Sequence, residues 1–330
     1  MYPIKFDNLY YEIIWGGRRF EKIRNNLPKG RIGESWDIAC HVNGMSIVSN
    51  GKYKGVTLDN LIKLEEEKIL GTKISKEKFP LLIKLINAED TLSIQVHPDD
   101  KYAKKEGELG KTEAWYVLEA DEGAKLILGI NPEVSKGEIK RAIENGELEN
   151  YINEVSVEKG EVYFVKSGLI HAIGKGIMIV ELQQNSDTTY RVYDYNRGRE
   201  LHINKALDVI DNKLRGEESK GLIARKFGYD KTYLCLCKEF SLELYEVKTF
   251  FKEQSDKERF YTFTCVEGAG KINYIDEKPQ YESLKISKGE SILIPADLGE
   301  YVFEGKMKLL KGYVPNIKKV EEEILKEVKR

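Results

Sequence analysis

The sequence predicts a mainly β protein made of two jelly-roll units with helical inserts. Two observations support this prediction. Short runs rich in β-branched and aromatic residues recur along the chain, and most are bounded by Gly, Asn, Asp or Lys. These runs fall into two series, separated by the polar, glycine-bracketed residues 216–221. We therefore expect an N-terminal domain at residues 1–217 and a C-terminal domain at residues 218–330.

Each run has the length and residue types of a single strand, and many short strands at this spacing are typical of sandwich and jelly-roll folds. The first series comprises residues 79–86, 92–97, 114–120, 124–130, 161–165, 177–184 and 188–195. The second series comprises residues 240–248, 259–268, 270–275, 290–296, 301–305 and 306–314.

Helical periodicity occurs only between or after these runs. A threonine at position 57 is a suitable cap for the first helix. The second helical pattern is polar with a thin apolar stripe, and we expect it to form an insert in the N-terminal domain. The predicted helices are residues 57–70, 132–153, 203–214 and 320–329.

Composition and charge narrow the class of protein. Of the 330 residues, 41% are hydrophobic and 33% are charged, as in ordinary globular proteins and unlike disordered or fibrous chains. The formal net charge of −2 provides no basic field, so we expect no nucleic-acid partner. We find no signal-peptide pattern and no apolar run of membrane-spanning length, so we expect a cytoplasmic protein with no membrane partner.

One motif occurs twice at the same spacing, once in each series of strands. Gly160 is followed eleven residues later by His171, and Gly289 is followed eleven residues later by Glu300, with a strand and a tight turn between them in both copies. The motif resembles the second cupin motif, although Lys166 replaces its proline. The resemblance implies two cupin units, of which the N-terminal one keeps a metal ligand and the C-terminal one has lost it.

Potential metal ligands occur on the separate strands of the first series. Gln95 and His97 point to the same face of a strand because they are two residues apart. Glu113 opens a later strand, and His171 comes from the first copy of the motif. A single strand histidine is more often structural than a ligand, but the four side chains together form a plausible shell. Such a shell favours zinc and is compatible with manganese, iron or cobalt.

The remaining histidines and the paired cysteines have simpler interpretations. His41 and His202 have no partner at ligand spacing, so we expect them to be structural or surface residues. Cys235 and Cys237 lie in an apolar run without a second ligand pair, which predicts small buried side chains and no metal site.

Four segments closely resemble the type I mannose-6-phosphate isomerases in their shorter bacterial form. They are QVHPDD, GKTEAWY, SGLIHAIGKG and ELQQNSDTTYRVYDY. The resemblance is strong over residues 10–200 and weak beyond. It implies an isomerase that interconverts mannose 6-phosphate and fructose 6-phosphate. It also implies one zinc ion per chain, with the four ligands in this sequence at Gln95, His97, Glu113 and His171.

The resemblance also assigns residues to the active site. Arg191 and Lys111 match the family pattern and are expected to be catalytic, while Lys84, Glu181 and Glu34 are expected to bind substrate. Longer members of the family have N-H-K-P-E where this chain has L-G-K-T-E, so no histidine precedes the lysine. For Lys84 an exposed strand position is the alternative, and for Glu34 it is a carboxylate at a strand edge.

Aldose–ketose isomerisation moves a proton between C1 and C2 through an enediol, which requires a base and a group that stabilises an oxyanion. Lys111, Glu181 and a metal-bound water are all compatible with the role of base. A substrate phosphate requires fixed cations, for which Arg191, Lys84 and Lys111 are candidates. The alternatives are a non-catalytic sugar-phosphate-binding regulator and an iron-dependent cupin oxygenase, whose sites commonly contain more histidines.

Overall fold

The computed structural model describes residues 1–25, 27–275 and 280–328. Strands dominate this part of the chain, which confirms the prediction of a mainly β protein. In chain order the strands are β1 (Leu9–Gly17), β2 (Ile32–Ile38), β3 (Cys40–His41), β4 (Gly44–Met45), β5 (Leu81–Ala88), β6 (Ile94–Val96), β7 (Glu113–Ala120), β8 (Lys125–Ile130), β9 (Ile152–Ser156), β10 (Val162–Val165), β11 (His171–Ile173), β12 (Ile177–Gln184), β13 (Tyr190–Tyr193), β14 (Leu222–Lys226), β15 (Tyr229–Leu236), β16 (Ser241–Val247), β17 (Phe250–Gln254), β18 (Tyr261–Ile275), β19 (Tyr281–Ser287), β20 (Ser291–Ile294) and β21 (Glu300–Tyr313).

The α-helices lie between or after the strands. They are α1 (Leu58–Glu65), α2 (Glu67–Leu70), α3 (Asp100–Ala103), α4 (Lys136–Glu144), α5 (Ile203–Val209) and α6 (Ile317–Val328). Short 3-10 turns occur at Arg19–Lys22, Lys104–Glu106 and Leu148–Asn150. Within the described residues, every helix is too short or too polar to cross a membrane.

The chain forms two compact units, and both are discontinuous in sequence. One unit contains residues 10–35 and 85–219, and the other contains residues 1–9, 36–84 and 220–330. One boundary lies within the predicted linker, whereas the other three fall inside β1, β2 and β5. Residues 1–9 join the second unit because Ile4 forms a β-bridge with Leu293. The compact units therefore do not correspond to a single division of the chain after residue 217. The two cupin domains at residues 1–217 and 218–330 stay a prediction.

Two sheets build the unit of residues 10–35 and 85–219. Their strand orders are β1-β2-β5-β12-β7-β10 and β13-β6-β11-β8-β9. One buried core cluster takes side chains from both sheets, including Val117 and Ile179 from the first and Leu126 and Ile173 from the second. The apolar faces of the two sheets thus pack on each other as in a jelly roll.

The other unit is built on an eight-stranded sheet within the described residues. Its main order is β14-β15-β16-β21-β18-β19, with β17 paired to β21 and β20 paired to β18. Its core is rich in aromatic side chains, among which Phe251, Phe263 and Phe303 are fully buried and in mutual contact. Helix α6 packs through Val320 on a smaller cluster that includes Tyr233.

Two strands are longer than the sequence predicts. Residues 259–268 and 270–275 form the single strand β18, and residues 301–305 and 306–314 form the single strand β21. The pairing shifts register between Cys265 and Glu267, and Gly268 and Gly305 take positive φ angles of 73° and 138°. The glycines allow both strands to bend and continue, so the prediction that each would be interrupted there is wrong.

The predicted helical insert at residues 132–153 is also too long. Helix α4 begins with a capping box between Ser135 and Glu138 and ends at Glu144. Gly146, with a φ of +71°, follows the end of the helix and stops it, after which the chain enters β9. The predicted helix at residues 57–70 is likewise divided into α1 and α2, because Glu66 has a φ of +45°.

Candidate metal centre

Three predicted site residues are neighbours across adjacent strands. His171 on β11 and Arg191 on β13 are both register partners of Gln95 on β6. Directly opposite residues of antiparallel strands point to the same face of the sheet. The sheet therefore places an imidazole, an amide and a guanidinium side by side, and His97 follows at the end of β6.

Glu113 reaches the same place from the other sheet, at the first residue of β7. Ligand atoms of His97, Glu113 and His171 all lie within 4.8 Å of one another. The three side chains are each at most 1% exposed. We refer to these three residues as the histidine cluster. The structure thus brings together three of the four predicted ligands as a compact, buried group.

Backbone carbonyls fix both imidazole rings. His97 Nδ1 lies 2.9 Å from the carbonyl oxygen of Thr188, and His171 Nδ1 lies 2.9 Å from that of Leu169. A carbonyl oxygen only accepts hydrogen bonds, so each Nδ1 carries a proton, and in a neutral ring this leaves Nε2 as the unprotonated nitrogen. Burial lowers the pKa of His171 to about 4, which keeps this ring neutral at pH 7.

The spacing of the donor atoms fits a small tetrahedral ion. The Nε2 atoms of His97 and His171 are 3.1 Å apart, and they lie 3.7 and 3.5 Å from the two oxygens of Glu113. Ligands at zinc-like bond lengths around a tetrahedral ion are separated by roughly 3.3 Å. Neither Glu113 oxygen accepts a hydrogen bond from the residues that the structure describes. Two imidazole nitrogens that face each other beside a buried carboxylate form a donor set that a metal ion would suit.

The amide of Gln95 lies at the edge of the histidine cluster. Its nitrogen Nε2 is 3.4 Å from His171 Nε2, and its oxygen Oε1 accepts from the hydroxyl of Ser93 at 3.4 Å. The ligand predicted from the sequence is the oxygen, and a half-turn of the amide exchanges the two atoms. Gln95 is therefore in position for the predicted role, although its nitrogen faces the cluster in this structure.

Lys111 lies against the cluster and is buried. Its Nζ is 3.0 Å from a Glu113 oxygen and 3.1 Å from His97 Nε2. Burial acts to lower the pKa of Lys111, but the carboxylates of Glu113 and Glu181 outweigh it and raise this pKa above its usual value. The ammonium thus supplies a fixed positive charge beside the donor atoms.

Glu181 and Arg191 flank the cluster from the two sheets. Glu181 is buried on β12, and its Oε2 accepts a hydrogen bond from the indole of Trp115 at 2.9 Å. Arg191 is half-buried, and it donates to the hydroxyl of Ser93 at 3.2 Å and to the carbonyl of Glu200 at 2.9 Å. Its guanidinium remains charged at any physiological pH.

Two further predicted residues, Lys84 and Glu34, lie on β5 and β2. Lys84 belongs to the unit of residues 1–9, 36–84 and 220–330, where its Nζ lies 4.4 Å from the centre of the Trp36 ring. It is 2% exposed, so the alternative of an exposed lysine is wrong. Glu34 is half-buried on β2. Burial raises the pKa of Tyr11, and the charges of Asp187 and Glu34 add to this rise, which places Glu34 in an acidic neighbourhood.

The residues that the sequence left out of the metal site make other contacts. His41 Nδ1 accepts from the backbone N–H of Asn43, and His202 Nδ1 accepts from that of Arg191, both at 3.2 Å. Glu300, at the position that corresponds to His171 in the second motif, is exposed and pairs with Lys252 at 2.6 Å.

Sequence reasoning missed the groups that orient the ligands. The carbonyls of Thr188 and Leu169 belong to the backbone, so no side-chain pattern could reveal them. Ser93 did carry a signal, because it lies two residues before Gln95 and therefore on the same face of the strand.

Similarity to known proteins covers most of the chain. The family model described as phosphomannose isomerase type I, catalytic domain, matches residues 4–130, and that described as mannose-6-phosphate isomerase, cupin domain, matches residues 229–314. The chain is 37% identical over 318 residues to the mannose-6-phosphate isomerase ManA of Bacillus subtilis, with 92% of this chain and 96% of that protein covered. It is 36% identical over 319 residues to the mannose-6-phosphate isomerase of Streptococcus mutans, with 94% and 98% covered.

A solved structure extends the likeness to the fold. The crystal structure of the mannose 6-phosphate isomerase from Bacillus subtilis superposes with a TM-score of 0.87 at 33% identity, over 94% of this chain and 99% of that one. The cupin match also confirms the fold predicted for the C-terminal series of strands. Identity above 30% over nearly the full length of both chains shows a common family. The chain therefore belongs to the type I mannose-6-phosphate isomerases.

Proposed function

We propose that this chain interconverts mannose 6-phosphate and fructose 6-phosphate and that it uses one zinc ion per chain. The observation that supports the proposal best is the histidine cluster. Two imidazole nitrogens and a carboxylate converge in a buried place, with their potential ligand atoms within 4.8 Å of one another. Such a donor set would bind a divalent ion, and a divalent ion can assist aldose–ketose isomerisation as a Lewis acid.

His97, Glu113 and His171 would hold the ion, with the oxygen of Gln95 as the fourth ligand. When bound, a divalent ion supplies Lewis-acid polarisation of substrate oxygens. Nitrogen and carboxylate donors at this spacing favour zinc over magnesium or calcium, which prefer shells of oxygen alone. The choice of zinc rests on this donor set.

The chain's own residues supply charge and proton transfer. Lys111 places an ammonium next to the donor atoms, where it can bind a substrate oxygen that becomes negative. Arg191 lies on the same sheet face as Gln95 and can pair with the phosphate or with that oxygen. Glu181, with one oxygen held by Trp115, can accept the proton that moves between C1 and C2. Lys84 and Glu34 remain proposed substrate-binding residues.

A coupled assay tests the function directly. The purified protein should convert mannose 6-phosphate to fructose 6-phosphate, lose this activity on chelation and regain it with zinc. Binding of mannose 6-phosphate without turnover would favour a regulator instead, and iron-dependent oxygen uptake would favour an oxygenase. The same assay with other divalent ions tests the choice of zinc.

Solvent deuterium identifies the base. In deuterium oxide the normal enzyme should incorporate label at C2 of mannose 6-phosphate. If Glu181 is the base, Glu181→Gln should slow this exchange by about 100-fold or more while the metal content stays unchanged. Lys111→Met tests the alternative, and Lys101→Met on α3 is a matched control because Lys101 is exposed. Exchange that survives in Glu181→Gln and disappears in Lys111→Met would assign the base to Lys111.

A further inference from the structure

Trp115 occupies a central place beside the histidine cluster. It follows Glu113 by two residues on β7, so both side chains point to the same face of the sheet. The side chain is 1% exposed and belongs to the core cluster between the two sheets. A tryptophan this deeply buried requires a partner for its indole N–H, and the partner it has is itself a proposed site residue.

The indole N–H donates to Glu181. Trp115 and Glu181 are register partners on β7 and β12, and Nε1 lies 2.9 Å from Oε2. Hydrogen bonds from neutral donors allow a buried carboxylate to stay charged and restrict its rotation. The contact therefore fixes which oxygen of Glu181 faces Trp115. Because the carboxylate is rigid, it also fixes the direction of the other oxygen.

The indole ring also contacts His171. The ring centroids are 5.4 Å apart with an interplanar angle of 73°, which is an edge-to-face arrangement. His171 is thus restrained at two points, by the carbonyl of Leu169 at Nδ1 and by the contact of its ring with the indole. Both restraints keep Nε2 directed at the Nε2 of His97, 3.1 Å away.

We propose that Trp115 is a positioning residue that holds the metal ligand His171 and the proton-transfer carboxylate Glu181 in register with each other. The indole acts on the two partners through different parts, the N–H on Glu181 and the ring on His171. This inference rests on the proposed isomerase function for the role of Glu181. The contact with His171 does not depend on that function, because it concerns metal binding alone.

Substitutions can separate the two contacts. Trp115→Phe keeps an aromatic ring and removes the N–H, so kcat should fall about tenfold or more while KM and the metal Kd stay within about twofold. Trp115→Leu also removes the ring, so the metal should bind about tenfold more weakly as well. Trp15→Phe is the matched control, because Trp15 is 3% exposed in the same core cluster. It should leave kcat and metal Kd unchanged within about twofold.

Metal Kd is measured by competition with a chelator, which needs no turnover. A cycle with Glu181→Gln supplies the test of coupling: if Trp115 acts through Glu181, the double variant Trp115→Phe/Glu181→Gln should be no slower than Glu181→Gln alone. Additive losses in the cycle, or equal kcat in Trp115→Phe and Trp15→Phe, would overturn the inference.

The readouts also separate this inference from the proposed function. If the normal enzyme does not turn over mannose 6-phosphate, the proposed function fails, and chelator competition still reports on the ring contact. If the normal enzyme is active and Trp115→Leu binds metal as tightly as Trp15→Phe, the proposed role of Trp115 is wrong while the proposed function stands. Should Trp115→Leu not fold, the same comparison is made with Trp115→Met, and an unchanged metal Kd in that variant contradicts the ring contact.

Discussion

Two buried polar clusters, one in each compact unit, differ in how their atoms are satisfied. In the histidine cluster, two Nε2 atoms face each other at 3.1 Å, and the ammonium of Lys111 lies 3.0 Å from a Glu113 oxygen and 3.1 Å from His97 Nε2. The other unit contains what we call the lysine cluster, which consists of Lys231, Lys311, Glu243 and Glu253. These four charges are carried by neighbouring strands and by β17.

The lysine cluster satisfies its own charges. Lys311 Nζ donates to both oxygens of Glu253, at 2.9 and 2.8 Å, and Lys231 Nζ lies 3.1 Å from Glu243. Tyrosine hydroxyls complete the shells of both carboxylates. Tyr245 and Tyr301 each donate to Glu253 at 2.6 Å, and Tyr313 donates to Glu243 at 2.6 Å.

The comparison shows that burial of polar groups does not by itself mark a ligand site. A cluster in which each carboxylate has its own lysine and tyrosine donors is a structural network, whereas the three electron-pair donors of the histidine cluster share the ammonium of Lys111 and converge on a point where a metal ion would bind. The same contrast separates the two sequence motifs, in which a buried His171 corresponds to an exposed Glu300. The four predictions below test this difference, from the largest expected effect to the smallest.

His171→Ala should remove the metal and reduce isomerase activity to background. The variant loses one nitrogen donor of the histidine cluster, and we expect metal affinity to fall by more than about 100-fold, beyond the effect of removing a residue that only supports a ligand. Glu300→Ala is the control and should keep both metal and activity. Elemental analysis and the coupled assay provide the measurements. Equal metal loss in both variants would contradict the contrast between the motifs.

Lys311→Met should destabilise the protein by about 3 kcal/mol, because Glu253, whose side chain is only 21% exposed, would lose its cation. Lys308→Met, on the same strand, removes only a surface pair with Glu246 and should cost at most about 1 kcal/mol. Chemical denaturation measures both. The double variant Lys311→Met/Glu253→Gln should recover part of the loss, and no recovery would mean that the charges of the cluster are not coupled.

Metal should stabilise the protein through the histidine cluster alone. Zinc at about 100 times its Kd should raise the apparent free energy of unfolding by about 2.7 kcal/mol. Lys308→Met should show the same increment, whereas His171→Ala should show almost none. Thermal unfolding with and without chelator measures this difference. An increment that persists in His171→Ala would place the stabilising ion elsewhere.

Glu323→Gln should have the smallest effect on stability of the four changes, and this effect should depend on pH. Burial acts to raise the pKa of this carboxyl, but Lys231 and Tyr233 outweigh it, so the pKa in the folded state is lowered. Such a group stabilises the fold above its unfolded pKa, and the contribution is lost as the pH falls through the folded pKa. Because the Glu323 side chain is 40% exposed, Glu323→Gln should lower the free energy of unfolding by at most about 1 kcal/mol at neutral pH. The difference in stability between the variant and the unmodified protein should become smaller below about pH 4.

Denaturation at several pH values measures this narrowing. Glu322→Gln, at an exposed position of the same helix, is the control. A stability difference between the Glu323→Gln variant and the unmodified protein that grows as the pH falls would contradict the assigned sign.

The sequence was sufficient to predict much of the fold and the candidate ligand set. Strand-like runs depend on local residue preferences, and the spacing of Gln95 and His97 directly implies a shared face. The features of the fold that the sequence could not reveal depend on pairing between strands that are distant in the chain. The bend at Gly268 extends β18 across a predicted break, and β2 and β5 contribute to both compact units. Gly146 was a readable helix stop that the periodicity of residues 132–153 obscured.

The lysine cluster was missed for a different reason. Lys231 and Lys311 are ordinary lysines in strands that look half-exposed, and the sequence gives no sign that Glu243 and Glu253 lie beside them in the fold. Charge pairs across strands have no fixed sequence spacing, so a sequence pattern does not reveal them.

The most direct test of the account is anomalous diffraction at the zinc edge from crystals grown with zinc. We predict a single strong peak among His97, Glu113 and His171, with the oxygen of Gln95 turned towards it and no peak in the lysine cluster. A peak in the lysine cluster, or none between the two histidines, would contradict the central claim.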